Sequence, residues 1–324
     1  MRVLSGIQPS GSLHIANYFS MMKRMIEFQE ENELICFIVN YHALTTVFNK
    51  EELSKNTISA AIDFLSLGID PEKSIFFVQS DVPEVLELTW ILSNVTPVGL
   101  LQRAHSYKDK IARGIPANHG LFSYPVLMAA DILIYKPDIV PVGKDQKQHV
   151  EIARDIAIKF NNIYGDIFKI PEADIEKEVA SVTGIDGQKM SKSYNNTIKI
   201  FATIEEIQKS CMSIVTDSTP IDKPKNPDKS VLFEIYSLFL DSNEKKELRD
   251  RFLTPGLRYG DIKKELYKRI VKYFAPFREK RVYYENHKDV VCDILSEGAK
   301  KAQSEARKTL EEIKDVIGLN YRKA

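Results

Sequence analysis

Along the first half of the chain, short runs that are apolar throughout alternate with longer stretches in which apolar residues return every three or four positions. An uninterrupted apolar run is the mark of a strand buried on both faces, and the longer period is that of a helix lying against such a sheet. Val3-Leu4 opens the series, and a helical period follows from Asn17 to Glu31 through Phe19, Met22, Met25 and Ile26. Leu34-Ile35-Cys36-Phe37-Ile38-Val39 reads as a strand and is followed by a loop carrying His42. Lys50 to Leu67 reads as a helix stopped by Gly68, Ile75-Phe76-Phe77-Val78 as a strand, and Val85 to Leu92 as a helix ending ahead of Pro97. Tyr124 to Ile134 is an apolar helix broken once, by Asp131; Ile139-Val140-Pro141-Val142-Gly143 looks like a strand end, and Lys147 to Phe160 is helical again. Such an alternation predicts βαβ units on a parallel, Rossmann-like sheet.

After Ser193 the pattern changes to helices with charged faces, at Ile204 to Met212, Val231 to Leu240 and Asp261 to Phe274, with a Pro/Asp/Lys-rich loop from Asp217 to Lys229. The last segment, Ala299 to Ile317, sets Ala299, Ala302, Ala306, Leu310, Ile313 and Ile317 on one stripe and stops at Gly318, so it needs something to pack on. The expected class is α/β: a Rossmann-like parallel sheet domain over 1–185, a lysine-bearing loop over 186–194, and a smaller helical domain over 195–324 whose final helix can pack back on the first domain. No internal repeat is visible.

Composition changes this picture little. An apolar content of 44% with 28% charged residues suits a globular enzyme, and 45 Lys+Arg balance 45 Asp+Glu, so a nucleic-acid site has to be a local patch. One such window runs from Lys245 to Arg281, with thirteen basic against five acidic residues and Tyr259, Tyr267, Tyr273 and Phe274 interleaved. It suits either phosphate and base contacts or a solvated helical face. Cys36, Cys211 and Cys292 are too scattered for a disulfide framework or a zinc site. No leader-like apolar stretch follows Met1, and no run approaches the roughly 18 apolar residues of a membrane span, so the expectation is a cytoplasmic protein without membrane contact.

Candidate chemistry lies in two stretches. In Lys189-Met190-Ser191-Lys192-Ser193, behind the turn residues Gly184, Asp186 and Gly187, two lysines three apart can converge on a polyanion such as a triphosphate, or form an ordinary basic turn. In Ile7-Gln8-Pro9-Ser10-Gly11-Ser12-Leu13-His14-Ile15-Ala16-Asn17, turn residues and a histidine lie between the first strand and a helix, where an α/β sheet binds nucleotides; a lone histidine there can also be structural. The polar stretch Gln102 to Asn118, with Arg103, Lys108, Lys110 and Arg113, is either a mobile segment near a phosphate site or a solvated helix and loop. A carboxylate on an apolar helix is costly without a donor, so Asp131 wants either a salt bridge or cap contact or a ligand. Gln146 and His149, on the first turn of a helix, can cap it or face solvent.

His14-Ile15-Ala16-Asn17 and Lys189-Met190-Ser191-Lys192-Ser193, about 175 residues apart, together resemble the HIGH and KMSKS signatures of class I aminoacyl-tRNA synthetases. The opening Gly6-Ile7-Gln8-Pro9-Ser10-Gly11 is similar to the tryptophanyl family, and the resemblance covers nearly the whole chain. It implies ATP as substrate with Mg²⁺, activation of L-tryptophan, transfer to tRNA(Trp), and a homodimer. Carried over position by position, it implies phosphate contacts for His14, Lys189 and Lys192. It implies an ATP border of Gln8, Pro9, Ser10, Ala16, Asn17, Gly143, Lys144, Asp145 and Val182 together with Met190, Ser191 and Ser193. It implies a tryptophan pocket of Asp131, accepting the indole N–H, with Met128, Tyr124, Gln146, His42 and Leu4; no protein metal ligands are implied. Ala16 departs from the motif's glycine, and Asn40 stands where many relatives have aspartate. A tyrosyl enzyme is the nearest rival, followed by a small-molecule nucleotidylyltransferase and a non-catalytic paralogue.

Overall fold

The computed structural model describes every residue except 10, 105–106, 108–113, 115–117, 144–145, 176–181 and 324. Lys108, Lys110 and Arg113 of the basic stretch, and Ser10, Lys144 and Asp145 of the expected ATP border, therefore lie outside the described residues. The chain divides into two compact units. A sheet unit comprises Met1–Gly11, Met25–Glu176 and Tyr284–Ala324, and a helical unit comprises Ser12–Arg24 and Lys177–Tyr283.

The sheet unit is built on five parallel strands, β1 (Arg2–Ile7), β2 (Glu33–Ile38), β3 (Ser74–Val78), β4 (Ile139–Pro141) and β5 (Glu172–Asp174), in the order β3-β2-β1-β4-β5. β1 is central, pairing Val3 with Leu34 on one side and with Ile139 on the other. The continuous apolar runs are explained by double-sided burial: Leu34, Ile35, Cys36, Phe37 and Ile38 are all buried. The unit's helices are α2 (Lys23–Glu31), α3 (Asn40–Ala43), α4 (Lys50–Leu67), α5 (Glu84–Ser93), α6 (Val98–Gln102), α7 (His119–Leu133), α8 (Lys147–Tyr164) and α13 (Lys288–Ile317). α7 packs between α5 and α8, and α13 lies along the edge strand β3, satisfying the alanine stripe: Ala302, Ala306 and Ile313 are fully buried. Gly298 makes this possible, because a Cβ there would overlap the Phe76 carbonyl.

The helical unit carries α1 (Ile15–Asn17), a π-helical turn Tyr18–Met22, α9 (Ile204–Met212), α10 (Val231–Ser237), α11 (Ser242–Leu253) and α12 (Tyr259–Asn286), the last running a few residues past the unit's end. An aromatic cluster forms its core: Tyr18 stacks edge-on with Phe274, Phe19 with Phe239, and Phe239 with Tyr273. Each edge-to-face pair adds about 0.5–1.5 kcal/mol to the area it buries.

Several elements differ from the sequence pattern for identifiable reasons. The loop expected at His42 is the one-turn helix α3. α11 has only two buried apolar residues, Leu248 and Phe252, too few to show a period, and is specified instead by a capping box in which Asp241 accepts from Glu244 N–H. α13 begins at Lys288, well before its alanine stripe, and β5 is too short to show alternation.

Candidate active site

In the helical unit, the segment that opens α1 is tied through the backbone to residues 198–200, just past the lysine turn. Ile15 N–H donates to Ile198 O (3.0 Å) and Ile200 N–H to Leu13 O (3.1 Å), so His14 is bridged to Lys199 as in a two-residue antiparallel pair. His14 is buried, and among the described residues its Nδ1 finds no hydrogen-bond partner. Its pKa is pushed down to about 4, first by burial and then by the Lys192 charge, so the imidazole is neutral at physiological pH. The Lys192 ammonium is itself lowered from its ordinary value by desolvation and by Lys199. Lys192 and Lys199 thus form a cationic focus beside the neutral His14 ring, and Lys199 is a member that the sequence reading did not name.

The lysine turn is held by a buried amide. Asn196 Nδ2 donates to Asp186 Oδ1 (2.8 Å) and Lys189 O (3.1 Å), while its Oδ1 accepts Ser191 N–H (2.8 Å). Asp186 Oδ1 also accepts Gln188 N–H, and these two donors hold its carboxyl below the usual carboxylate range, the backbone bond contributing more. Gly187 supplies a left-handed φ of 85° at the tip of the turn. Met190 is buried, its N–H bonded to Val182 O, and the Ser191 and Ser193 hydroxyls share a 2.8 Å hydrogen bond. Asn17 Oδ1 accepts His14 N–H (3.1 Å), a local structural contact, and Ala16 is buried with its carbonyl accepting from Ser20 Oγ.

In the sheet unit, Gln8 and Pro9 follow the end of β1, and Gly143 follows β4, the carboxyl ends where open α/β sheets take their ligands. Asp131 lies on α7 and is 3% exposed, which would be costly for an unpaired carboxylate. It is well supplied: Gln79 Nε2 donates to Oδ1 (2.9 Å) and Oδ2 (2.8 Å), and His42 Nε2 lies 2.8 Å from Oδ2. A second chain runs alongside. Tyr124 Oη lies 2.8 Å from His149 Nε2, and His149 Nδ1 lies 2.8 Å from Gln146 Oε1. Because an amide oxygen only accepts, this arrangement puts the proton of His149 on Nδ1 and makes the tyrosine hydroxyl the donor. The His42 and Tyr124 rings meet edge-on at 6.2 Å. Leu4 is buried, and Met128 is half-buried against the same apolar core.

The structure therefore joins Asp131 and His42, with Gln79, in one hydrogen-bonded group, while Tyr124 and Gln146 form a separate chain through His149 that meets the first at the His42–Tyr124 ring contact. His14 and Lys192 lie together in the helical unit, with Lys199 beside Lys192 and Asn196 holding the lysine turn. The structure makes His149 a buried network member where capping or solvent exposure had seemed sufficient. The signal for Gln79 was a glutamine directly after the buried run Ile75 to Val78, at a strand's carboxyl end.

A parallel sheet with a histidine segment after its first strand and a lysine turn late in the chain is the signature of the class I aminoacyl-tRNA synthetases. The chain belongs to the family of tRNA synthetases class I (W and Y), whose model matches residues 1–275. It is 55% identical over 319 residues, 98% of each chain, to a Tryptophan--tRNA ligase of Fusobacterium nucleatum. It is 54% identical to that of Campylobacter jejuni strain RM1221, covering 98% of this chain and 100% of that one. The crystal structure of tryptophanyl-tRNA synthetase from Campylobacter jejuni complexed with ADP and tryptophane superimposes with a TM-score of 0.93 at 53% identity, covering 98% of this chain and 100% of that one.

Proposed function

We propose that the chain activates L-tryptophan with ATP, forming tryptophanyl-adenylate and pyrophosphate, and then transfers the tryptophanyl group to tRNA(Trp) with release of AMP. The observation that carries this reading is the buried Asp131 acceptor in a chain 53% identical to a synthetase solved with ADP and tryptophan. The amino-acid carboxylate attacks the α-phosphorus in line and the pyrophosphate leaves, so the protein supplies position and charge and no covalent nucleophile. Lys189 and Lys192 take the phosphate charge, and the neutral His14 donates a hydrogen bond to a phosphate oxygen. Gln8, Pro9, Ser10, Ala16, Asn17, Gly143, Lys144, Asp145, Val182, Met190, Ser191 and Ser193 border ATP. Asp131 accepts the indole N–H, and Leu4, His42, Tyr124, Met128 and Gln146 enclose the amino acid. Mg²⁺ accompanies ATP, carried by phosphate oxygens and water.

Residues 195–324 carry the anticodon-reading surface in this reading, and the enzyme works in the cytoplasm; no described helix is long and apolar enough to cross a membrane. A homodimer is supported by Leu86 (43% exposed) and Trp90 (73% exposed), one turn apart on α5, an apolar pair that a monomer leaves facing water. The deciding experiment is ATP–pyrophosphate exchange across the amino acids, with and without Lys192→Ala. Tryptophan alone should stimulate exchange and Lys192→Ala should suppress it; tyrosine-stimulated exchange would reassign the substrate.

A further inference from the structure

Gln79 is 1% exposed and stands at the junction of β3 and the turn that follows it. Its amide orientation is set by its other partner, since Oε1 accepts the Tyr41 N–H at 3.0 Å, and only an oxygen can take that bond. The NH₂ group must then face Asp131, where it bridges both carboxylate oxygens. With His42 Nε2 added, Oδ2 accepts two bonds and Oδ1 accepts one. A carboxylate oxygen has about two acceptor positions, so the protein loads Oδ2 and keeps capacity on Oδ1.

We propose that Gln79 is a specificity-determining positioning residue: clamped by the Tyr41 N–H, it fixes the plane of the Asp131 carboxylate and directs Oδ1 to accept the ring N–H of the amino-acid substrate. This rests on the reading of Asp131 as the acceptor of that N–H. Gln79 touches no substrate atom and acts through Asp131. Without it the carboxylate would rotate about its terminal bond, a broad and soft torsion, and the directional bond on which discrimination depends would be lost. The segment bearing Tyr41 and His42 supplies both remaining constraints, one on Gln79 and one on Asp131, so that segment and the two side chains lock one another.

The test compares tryptophan with 3-benzothienylalanine, which has the same ring outline but sulfur in place of the N–H. Pyrophosphate-exchange kcat/KM is measured for both substrates in the wild type, Gln79→Met, Gln79→Glu and Asp131→Asn. Gln79→Met keeps the volume and removes the donors. It should lower kcat/KM for tryptophan roughly tenfold to hundredfold while changing that for the thienyl analogue less than about threefold, with KM for ATP unaltered. Gln79→Glu turns an acceptor toward Asp131 and should lose at least as much discrimination, so the question is answered even where Gln79→Met folds poorly. Equal losses on both substrates, or unchanged discrimination in the Gln79 variants alongside a collapse in Asp131→Asn, would overturn the role of Gln79 while leaving that of Asp131 intact. Unchanged discrimination in Asp131→Asn would overturn the Asp131 reading and this inference with it.

Discussion

His14 shows how much a single side chain's setting decides. Its burial and the nearby Lys192 ammonium hold its pKa at about 4, against an unfolded value of 6.5. A group harder to protonate in the folded chain contributes stability that is complete above pH 6.5 and drains away as the pH falls from there through 4. An NMR titration of His14 should therefore give a midpoint near 4, and Lys192→Ala should raise it only part of the way to 6.5, because burial is the larger cause. A midpoint of 6.5 in the wild type would mean the imidazole is not buried beside the lysine. Occupation of the focus by a polyphosphate should raise the midpoint, since an anion stabilises the charged ring. Asp131 makes the opposite case: burial without donors would be prohibitive, and its donors come from β3's end and from α3, elements remote in sequence. Asp131→Asn should cost tryptophan discrimination while leaving ATP affinity nearly unchanged, as read by the KM values in pyrophosphate exchange.

At the scale of elements, the lysine turn is kept in shape by Asn196, which the sequence reading passed over because a polar residue after a basic run carries no periodic signal. Asn196→Ala would strip partners from Asp186, the Lys189 carbonyl and the Ser191 N–H. The expected cost is about 1–3 kcal/mol, falling on the turn rather than on the whole chain. Exchange kcat should fall, and limited proteolysis at the turn should accelerate, with the thermal midpoint little changed. Gly298 behaves differently. The helix α13 approaches the Phe76 backbone so closely that any Cβ must push it off the edge strand, so Gly298→Ala should cost about 3 kcal/mol, the upper part of the usual overpacking range, in denaturant unfolding. The periods of α4, α8 and α13 were legible because each buries a continuous stripe. α11 was not, because its caps rather than its core specify it.

For the whole molecule, the strands β1 to β3, the parallel sheet and both signature segments could be read from the chain, since each depends on residues near in sequence. What could not be read were partnerships across long separations: Gln79 with Asp131, Asn196 with the turn, and the backbone pairing of Leu13 and Ile15 with residues 198–200. The basic window is instructive in the same way. Much of its charge is spent internally, Arg249 on Asp228, Arg251 on Glu265, Arg269 on Glu244 and the Phe239 carbonyl, and Lys263 on the Met212 carbonyl. Three of its aromatics are also committed: Phe274 is fully buried, Tyr273 belongs to the aromatic core, and Tyr259 donates to Asp217. Lys263 and Arg269 thus each hold a backbone carbonyl, and Arg269 a carboxylate as well. Lys264, Lys268 and Lys272 remain exposed, and their four-residue spacing sets them along one face of α12. If tRNA lies along that face, each lysine releases counterions from a phosphate when the complex forms. Reversing all three to glutamate should weaken tRNA binding strongly at low salt and lower the slope of log K against log salt by roughly one unit for each phosphate no longer neutralised. Tryptophan-dependent pyrophosphate exchange, which needs no RNA, should be unaffected. An unchanged salt slope in the triple variant would place the RNA-binding face on another surface.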